Sequence, residues 1–541
     1  MKSLLLILSA FLLSLNCFTQ QPDIILYNAK IFTADKKQLY AEAIAITGNK
    51  IAAVGKNAVI EKLAGSGTKK INLEGKTVVP GFNDAHTHVG ANYPARRFEF
   101  IKNPTDPTPW DIIKDSIQEI VQEVPAGVMI RSAINPDLLE DTRARRKALD
   151  SIAPNNPVIL SAWTGHGQIC NSAALQLLGF DENTSFAAGN LQKGEDGKLN
   201  GILEEYASFI TNNILAGKLS MEDITTGIKN YYKRILSLGI TSNQVMASAM
   251  PVEIYRKVFT ANDFGVRNRI IAFPMTNNKE LDMQSWAKLF HPLNTKNEVS
   301  GVKLILDGTP VERLAAVRHA YTDSPQKFGR INFSPAAIKK YIQFCLQNKQ
   351  QIIVHAVGDS AIVTLIGSLR AMHPDDFWKD KRVRIEHADL AVSTLGDLKV
   401  LQQMGIIIVP NPLHLGLPQV MAMRWDKRSP YLQAMRSLID NNIPLAIGSD
   451  GPDNPFLNIM FAAMHPDNPK EAITVEEVVT AYTYGSAYAE FKENQKGTLS
   501  VGKLADLAVL SQDIFSIPLQ QLPATSSVLT MIDGKIVFEA P

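Results

Sequence analysis

Five positions in the sequence carry side chains able to hold or move charge at the ends of apolar runs. His86 and His88 stand one residue apart in VVPGFNDAHTHVG. Residues two apart on an extended strand face the same way, so two imidazoles at that spacing can grip one metal ion. A lone His-x-His is also compatible with hydrogen-bonded or exposed histidines, and the spacing does not choose between them. His355 and His387 each follow a β-rich run, QIIV and VRIE. Either one alone reads more simply as a hydrogen-bonded core histidine, but two in succession after a His-x-His run point to a shared task. Asp450 ends IPLAIGSD, where burying a carboxylate is costly unless a cation or donor compensates it.

Lys303 is the least expected member of the set. It interrupts an apolar run in GVKLILDGTP, residues 301–310, where a bare ammonium is expensive to bury and cannot bind a metal. A neutral lysine amine can instead add carbon dioxide to give a carbamate, an anion with two oxygen donors that can bridge two divalent ions. Adjacent cations would stabilise that product. The alternative is an ordinary lysine, snorkelling to water or paired with Asp307.

These residues need a scaffold that brings strand ends together. Candidate strands are VVPGFNDAH, ITSNQVMA, VRNRIIAF, VKLILDG, QIIVHAVG, VRIEHADL, IIIVPNP and LAIGSD. Helix-like stretches such as SPAAIKKYIQFCLQNK and VSTLGDLKVLQQMG separate most of them. This alternation predicts an α/β fold, a (β/α)8 TIM barrel over residues 81–494, whose C-terminal strand ends form the reactive face. The gap at about 90–235 is too long for one helix, and reads as an insertion covering the barrel mouth. Residues 22–80 and 495–541 are rich in short alternating strands and turns. They predict a small antiparallel sheet, a β-sandwich domain built from both termini.

The chain has 541 residues and a formal net charge of +2, too near zero to suggest a nucleic acid or an acidic membrane surface as partner. Residues 1–19 have one lysine and an apolar run from Leu4 to Leu15, the pattern of a secretory signal peptide. An exported protein, periplasmic or extracellular, is the expectation. Lipid anchoring through Cys17 is the alternative, disfavoured by Asn16 before it. No integral membrane segment is expected in the mature chain. Cys170 and Cys345 remain, too few for a disulfide framework, and read as buried free thiols.

The ordered set PGFNDAHTH, SAWTGHGQICNSAAL, GILEEYA, GVKLILDG, HAVGDSA, RIEHADL, NPLHLG, IGSDGP and KGTLSVGKLADLAVL resembles the amidohydrolase superfamily. It resembles specifically the subgroup amidohydrolase 3, which includes YtcJ-like proteins and N-substituted formamide deformylase. The resemblance spans nearly the whole mature chain. It implies two divalent metal ions, usually zinc. His86, His88 and Asp450 would hold one ion and His355 and His387 the other, with carboxylated Lys303 as the bridge. It further implies substrate contacts from His166, Trp163 and His414, and an acidic position at Glu205 that either meets substrate or buttresses the insertion. The implied reaction is hydrolysis of a non-peptide C–N bond in an amide, formamide or N-acyl amine by metal-activated hydroxide. Asp450 would shuttle the proton to the leaving amine, and His166 would support the carbonyl oxygen. Two alternatives keep the fold: an N-acyl amino acid or cyclic amide hydrolase, and a catalytically silent binding or regulatory relative. The first is lowered because no cysteine ligand follows the His-x-His region. The partner expected is a small molecule, and a homodimer is left open.

Overall fold

In the computed structural model, residues 21–99, 101, 106–274, 283–392 and 395–541 are described. The expected signal peptide and Cys17 lie outside them. Among the described residues, no helix is long and apolar enough to cross a membrane.

The chain divides into two compact units. The first comprises Met1–Asn83, Arg234–Thr241 and Val475–Pro541. Residues 475–494, assigned to the barrel from sequence, fall in this unit. Its strands form two sheets. A four-stranded sheet orders Lys50–Gly55, Ala43–Thr47, Ile24–Tyr27 and Lys69–Asn72. A six-stranded sheet orders Lys535–Glu539, Ser527–Ile532, Leu507–Leu510, Thr77–Pro80, Lys30–Phe32 and Tyr40–Ala41. The second sheet joins the termini directly, with Leu507 opposite Pro80. Leu26, Ile44, Ile31, Val78, Leu507 and Met531, drawn from both sheets, share one core. The antiparallel expectation needs correction, because Ile24–Tyr27 pairs with Lys69–Asn72 in parallel and Lys30–Phe32 with Thr77–Pro80 likewise. Alternating hydrophobicity sets which face is buried but not the direction of the neighbouring strand.

The second unit comprises Asp84–Lys233 and Ser242–Thr474. Its centre is a seven-stranded sheet that runs in chain order. The strands are β1 (Phe82–Thr87), β2 (Ile240–Met246), β3 (Arg267–Ala272), β4 (Asn297–Ile305), β5 (Ile352–Ala356), β6 (Arg384–His387) and β7 (Ile407–Val409). Each pair from β2 to β7 is parallel. The eighth position is taken by the extended segment 444–450. Its Ala446 N–H donates to Ile408 O on β7, and its Ile447 carbonyl accepts from Ala85 N–H on β1. The segment is less regular than the expected strand LAIGSD, with only Leu445 in ladder register, opposite Ile408. These bonds close a TIM-like barrel. The helix predicted from SPAAIKKYIQFCLQNK forms over Pro335–Gln347, where the Ser334 side chain accepts from Ala337 N–H.

The insertion builds a six-stranded sheet of its own, which sequence patterning did not resolve. Its order is Gly189–Lys193, Leu199–Glu205, Gly167–Cys170, Val158–Ala162, Ile130–Ile134 and Arg96–Phe98. One face packs on the helix Trp110–Glu123 through Ile130, Val158, Leu160, Ile169 and Ile202. The other packs through Ile159, Cys170 and Leu203 on the helices Ser172–Leu178 and Tyr206–Ala216.

Candidate metal centre

The C-terminal ends of the barrel strands deliver the predicted residues to one cavity. His86 is the penultimate residue of β1 and His88 lies just past its end, Lys303 lies on β4, His355 on β5 and His387 ends β6. All five, with Asp450, line a cavity of about 790 Å³ in the second unit. Two of the strand-end residues have left-handed backbones, His387 at φ 66° and Asp450 at φ 53°. Non-glycine residues adopt that region at a cost of about 1–3 kcal/mol each, which the surrounding barrel must hold in place. The turn they make swings each side chain inward at the point where the strand stops.

Asp450 is the hub of the group. Its Oδ1 lies 3.0 Å from His88 Nε2 and 3.5 Å from His86 Nε2. Its Oδ2 lies 3.8 Å from both His387 Nδ1 and His414 Nε2. Burial would push this carboxyl up, but His86, His88 and His387 outweigh it and hold it well below the usual range. One ligand-type atom each from His86, His88 and Asp450 lies within 4.8 Å of the other two.

Three of these histidines have their Nδ1 held by a neighbouring side chain. Glu386, fully buried on β6, accepts a hydrogen bond from His86 Nδ1 at 2.7 Å. Burial alone would raise Glu386, yet the Arg384 guanidinium and Lys303 bring it down to about 2. Burial lowers His86 to about 4, so a neutral ring donates from Nδ1 and leaves its Nε2 lone pair toward Asp450. His88 Nδ1 meets Ser248 Oγ at 2.7 Å, and His387 Nδ1 meets Asn411 Oδ1 at 2.7 Å. Glu386, Ser248 and Asn411 were not identified from sequence. Glu386 had a local signal, since Arg384 and Glu386 share a strand face and a charged pair inside an apolar β-run demands a partner.

Lys303 and His355 supply the test of whether this set fits metal ions. Lys303 is 2% exposed, and its Nζ has no hydrogen-bond partner among the described residues. Asp307, the partner considered from sequence, does not pair with it. It accepts instead from the backbone N–H groups of Ala316, Val357 and Gly358, each at 2.9 Å. Burial lowers the Lys303 amine to about 8. His355 Nε2 is likewise buried with no hydrogen-bond partner among the described residues, 3.7 Å from Asp307 Oδ1, and burial holds its ring well below the usual histidine value. Orphaned buried donors and acceptors are rare and costly. Neutral imidazoles, one ionised carboxylate and one amine near neutrality, all at one strand-end cluster, fit divalent cations.

The insertion contributes the rest of the wall. Trp163, His166 and His414 line the same cavity as Lys303. Trp163 and His166 sit on the turn between the strands Val158–Ala162 and Gly167–Cys170, where Gly165 at φ +82° allows the chain to reverse. The ring of His166 lies 5.4 Å from that of His355, centroid to centroid. His414 stacks on His387 at 5.8 Å and 16°. Glu205 is fully buried and absent from the cavity lining. It accepts from His166 Nδ1 at 3.1 Å and from Asn332 at 3.2 Å. Burial would lower His166, but Glu205 and then Glu312 outweigh it and raise the ring above its usual value.

Comparison with known proteins places this arrangement. The chain is 26% identical to Protein LONG AFTER FAR-RED 3 of Arabidopsis thaliana, over 95% of this chain and 91% of that one. It is 25% identical to N-substituted formamide deformylase of Arthrobacter pascens, over 96% and 99%. A solved metal-dependent hydrolase from Pyrococcus horikoshii OT3 shares the fold with a TM-score of 0.71 at 20% identity, covering 92% of this chain and 99% of that one. The sequence model of the amidohydrolase family matches residues 69–538. The chain belongs to the amidohydrolase family.

Proposed function

We propose that the protein is a metal-dependent hydrolase of a non-peptide C–N bond, in an amide, formamide or N-acyl amine. The observation that carries this is the convergence, at barrel strand ends, of His86, His88 and Asp450 around one point beside an unpartnered buried Lys303 Nζ. His86, His88 and Asp450 would hold one divalent ion and His355 and His387 a second, with zinc suited to imidazole and carboxylate donors. Lys303, with its amine lowered to about 8, attacks carbon dioxide. A C–N bond would form as a C–O π bond of carbon dioxide opens and the amine loses a proton, and the carbamate would add anionic oxygen donors beside the histidines. When bound, the ions supply polarisation of a carbonyl and a lowered pKa for water.

The chain's own groups complete the reaction. His166, whose protonated form Glu205 favours, would donate from its other ring nitrogen to the substrate carbonyl oxygen as negative charge grows there. Water adds to the carbonyl carbon, and Asp450 takes its proton. Collapse breaks the C–N bond, and Asp450 returns the proton to the leaving amine. Trp163 and His414 shape the cavity around the acyl and amine portions. A relative along nearly its whole length bears the name of a formamide deformylase, which supports this bond class. The test is a panel of formamides, amides, cyclic amides and N-acyl amino acids, assayed for amine release with zinc-loaded protein. Turnover of at least one acyclic amide is expected. No turnover of any member by fully metallated protein would overturn the reading.

A further inference from the structure

The cavity has a second charged feature that the hydrolytic reading leaves unused. Arg131 lies on the insertion strand Ile130–Ile134, and Arg97 lies directly opposite it on Arg96–Phe98. Both residues line the cavity that holds the candidate metal ligands. Arg131 is 9% exposed, and Arg97 is exposed. Arg131 donates from Nη2 to Asn212 Oδ1 at 3.1 Å, and Arg97 from Nη2 to Asn92 Oδ1 at 3.4 Å. Neither forms an ion pair with a carboxylate among the described residues. Like charges opposed across two strands repel, and burial with the neighbouring Arg97 lowers Arg131 to about 10. Two other polar atoms on this face, Ser161 Oγ and Gln168 Oε1, are buried with no hydrogen-bond partner among the described residues. Ser161 and Gln168 face each other across adjacent strands, and both belong to the cavity wall. A sheet face that keeps two cations and two unsatisfied polar atoms has a structural cost with no return inside the protein.

We propose that Arg131 and Arg97 form a carboxylate-recognition subsite, so that the substrate carries a carboxylate remote from the bond that is hydrolysed. The inference rests on the hydrolytic reading of the same cavity. A planar guanidinium fork matches carboxylate geometry and gives charge-assisted bonds stronger than neutral ones. An anion between the two arginines also converts their repulsion into attraction. The substrate class is then carboxyalkyl amides small enough for a cavity of about 790 Å³. The two arginines favour N-acyl amino acids among them, although the absence of a cysteine ligand lowered that alternative in the sequence.

The test compares N-acetyl amino acids with their isosteric carboxamides, on zinc-loaded wild type, Arg131→Met and Arg131→Lys. The expected kcat/KM preference for the acid is about 10- to 100-fold in the wild type. It collapses in Arg131→Met and is partly restored in Arg131→Lys. Equal kcat/KM for acid and carboxamide, or a preference that survives Arg131→Met, would overturn the subsite. Arg97→Met, at an exposed position, provides a second variant with the same expected direction should Arg131→Met fail to fold. Calorimetry with glutarate and glutaramide separates this proposal from the hydrolytic one. Glutarate binding that is lost in the arginine variants supports the subsite even if no amide is turned over. Retention of glutarate binding in those variants, or binding of inorganic phosphate in preference to glutarate, would contradict it.

Discussion

Glu386 shows how a single buried carboxylate can decide whether a histidine is a ligand. It fixes the His86 ring through Nδ1, and its own charge is held by Arg384 at 2.9 Å. Glu386→Gln keeps the shape but removes the charge, and metal affinity should fall about 10- to 100-fold, read by chelator competition. Unchanged affinity would show that His86 is oriented without it. Asp450→Asn should lower turnover of any identified substrate by at least about 100-fold, and near-normal turnover would remove Asp450 as the proton carrier. Asp467 gives a pH prediction. Burial, then Asp389, pushes its carboxyl up to about 6, above the unfolded value of about 4. The folded state therefore binds a proton that the unfolded state releases, and this residue's penalty on stability is full above pH about 6 and fades as pH falls toward about 4. Asp467→Asn should raise the melting temperature at pH about 7.5 and leave it unchanged at pH about 4, and no gain at the higher pH would contradict the raised value. The metal-type residues were legible because each sits at a strand end with a local apolar run before it. The groups that orient them were not. Glu386 lies 300 residues from His86 and Ser248 lies 160 from His88, so only the closed barrel makes them neighbours.

At the scale of elements, the site depends on how the barrel closes. Segment 444–450 bonds to β1 through Ala85 N–H to Ile447 O and through Asp450 N–H to His86 O, the latter at 2.8 Å. Gly448 lies where an added Cβ would come within 2.3 Å of His86 Cβ and 2.8 Å of its backbone nitrogen. Gly448→Ala must therefore push β1 and this segment apart, at a cost of about 1–3 kcal/mol. Thermal melting should show the loss, and bound metal should fall with it. An unchanged melting temperature with full metal would contradict this geometry. Eight candidate strands, most of them separated by helix-like stretches, identified the barrel, since alternation of buried strands and amphipathic helices survives in sequence. The irregular eighth segment and the insertion's six-stranded order did not show. Strand order across Arg96–Phe98, Ile130–Ile134 and Val158–Ala162 follows from parallel pairing over long connections, which local patterning does not record.

At the scale of the whole molecule, the chain combines a two-sheet unit woven from both termini with a barrel unit that carries all of the site residues. Cys170 and Cys345 are buried free thiols, and burial pushes Cys170 up to about 12, leaving it unreactive near neutral pH. The sequence pattern of residues 1–19 leads us to propose export. Full-length protein expressed in a Gram-negative host should appear in the periplasm with its N-terminus trimmed, as read by intact mass, and an untrimmed cytoplasmic product would contradict that proposal. Lys303 is proposed to hold two metal ions together at the mouth of the barrel. The most direct test of that role is metal content per chain by elemental analysis, in wild type and in Lys303→Ala, both purified with zinc and carbonate present. About two ions per chain are expected in the wild type and a large loss in the variant, and full retention of both ions by Lys303→Ala would contradict the bridging role.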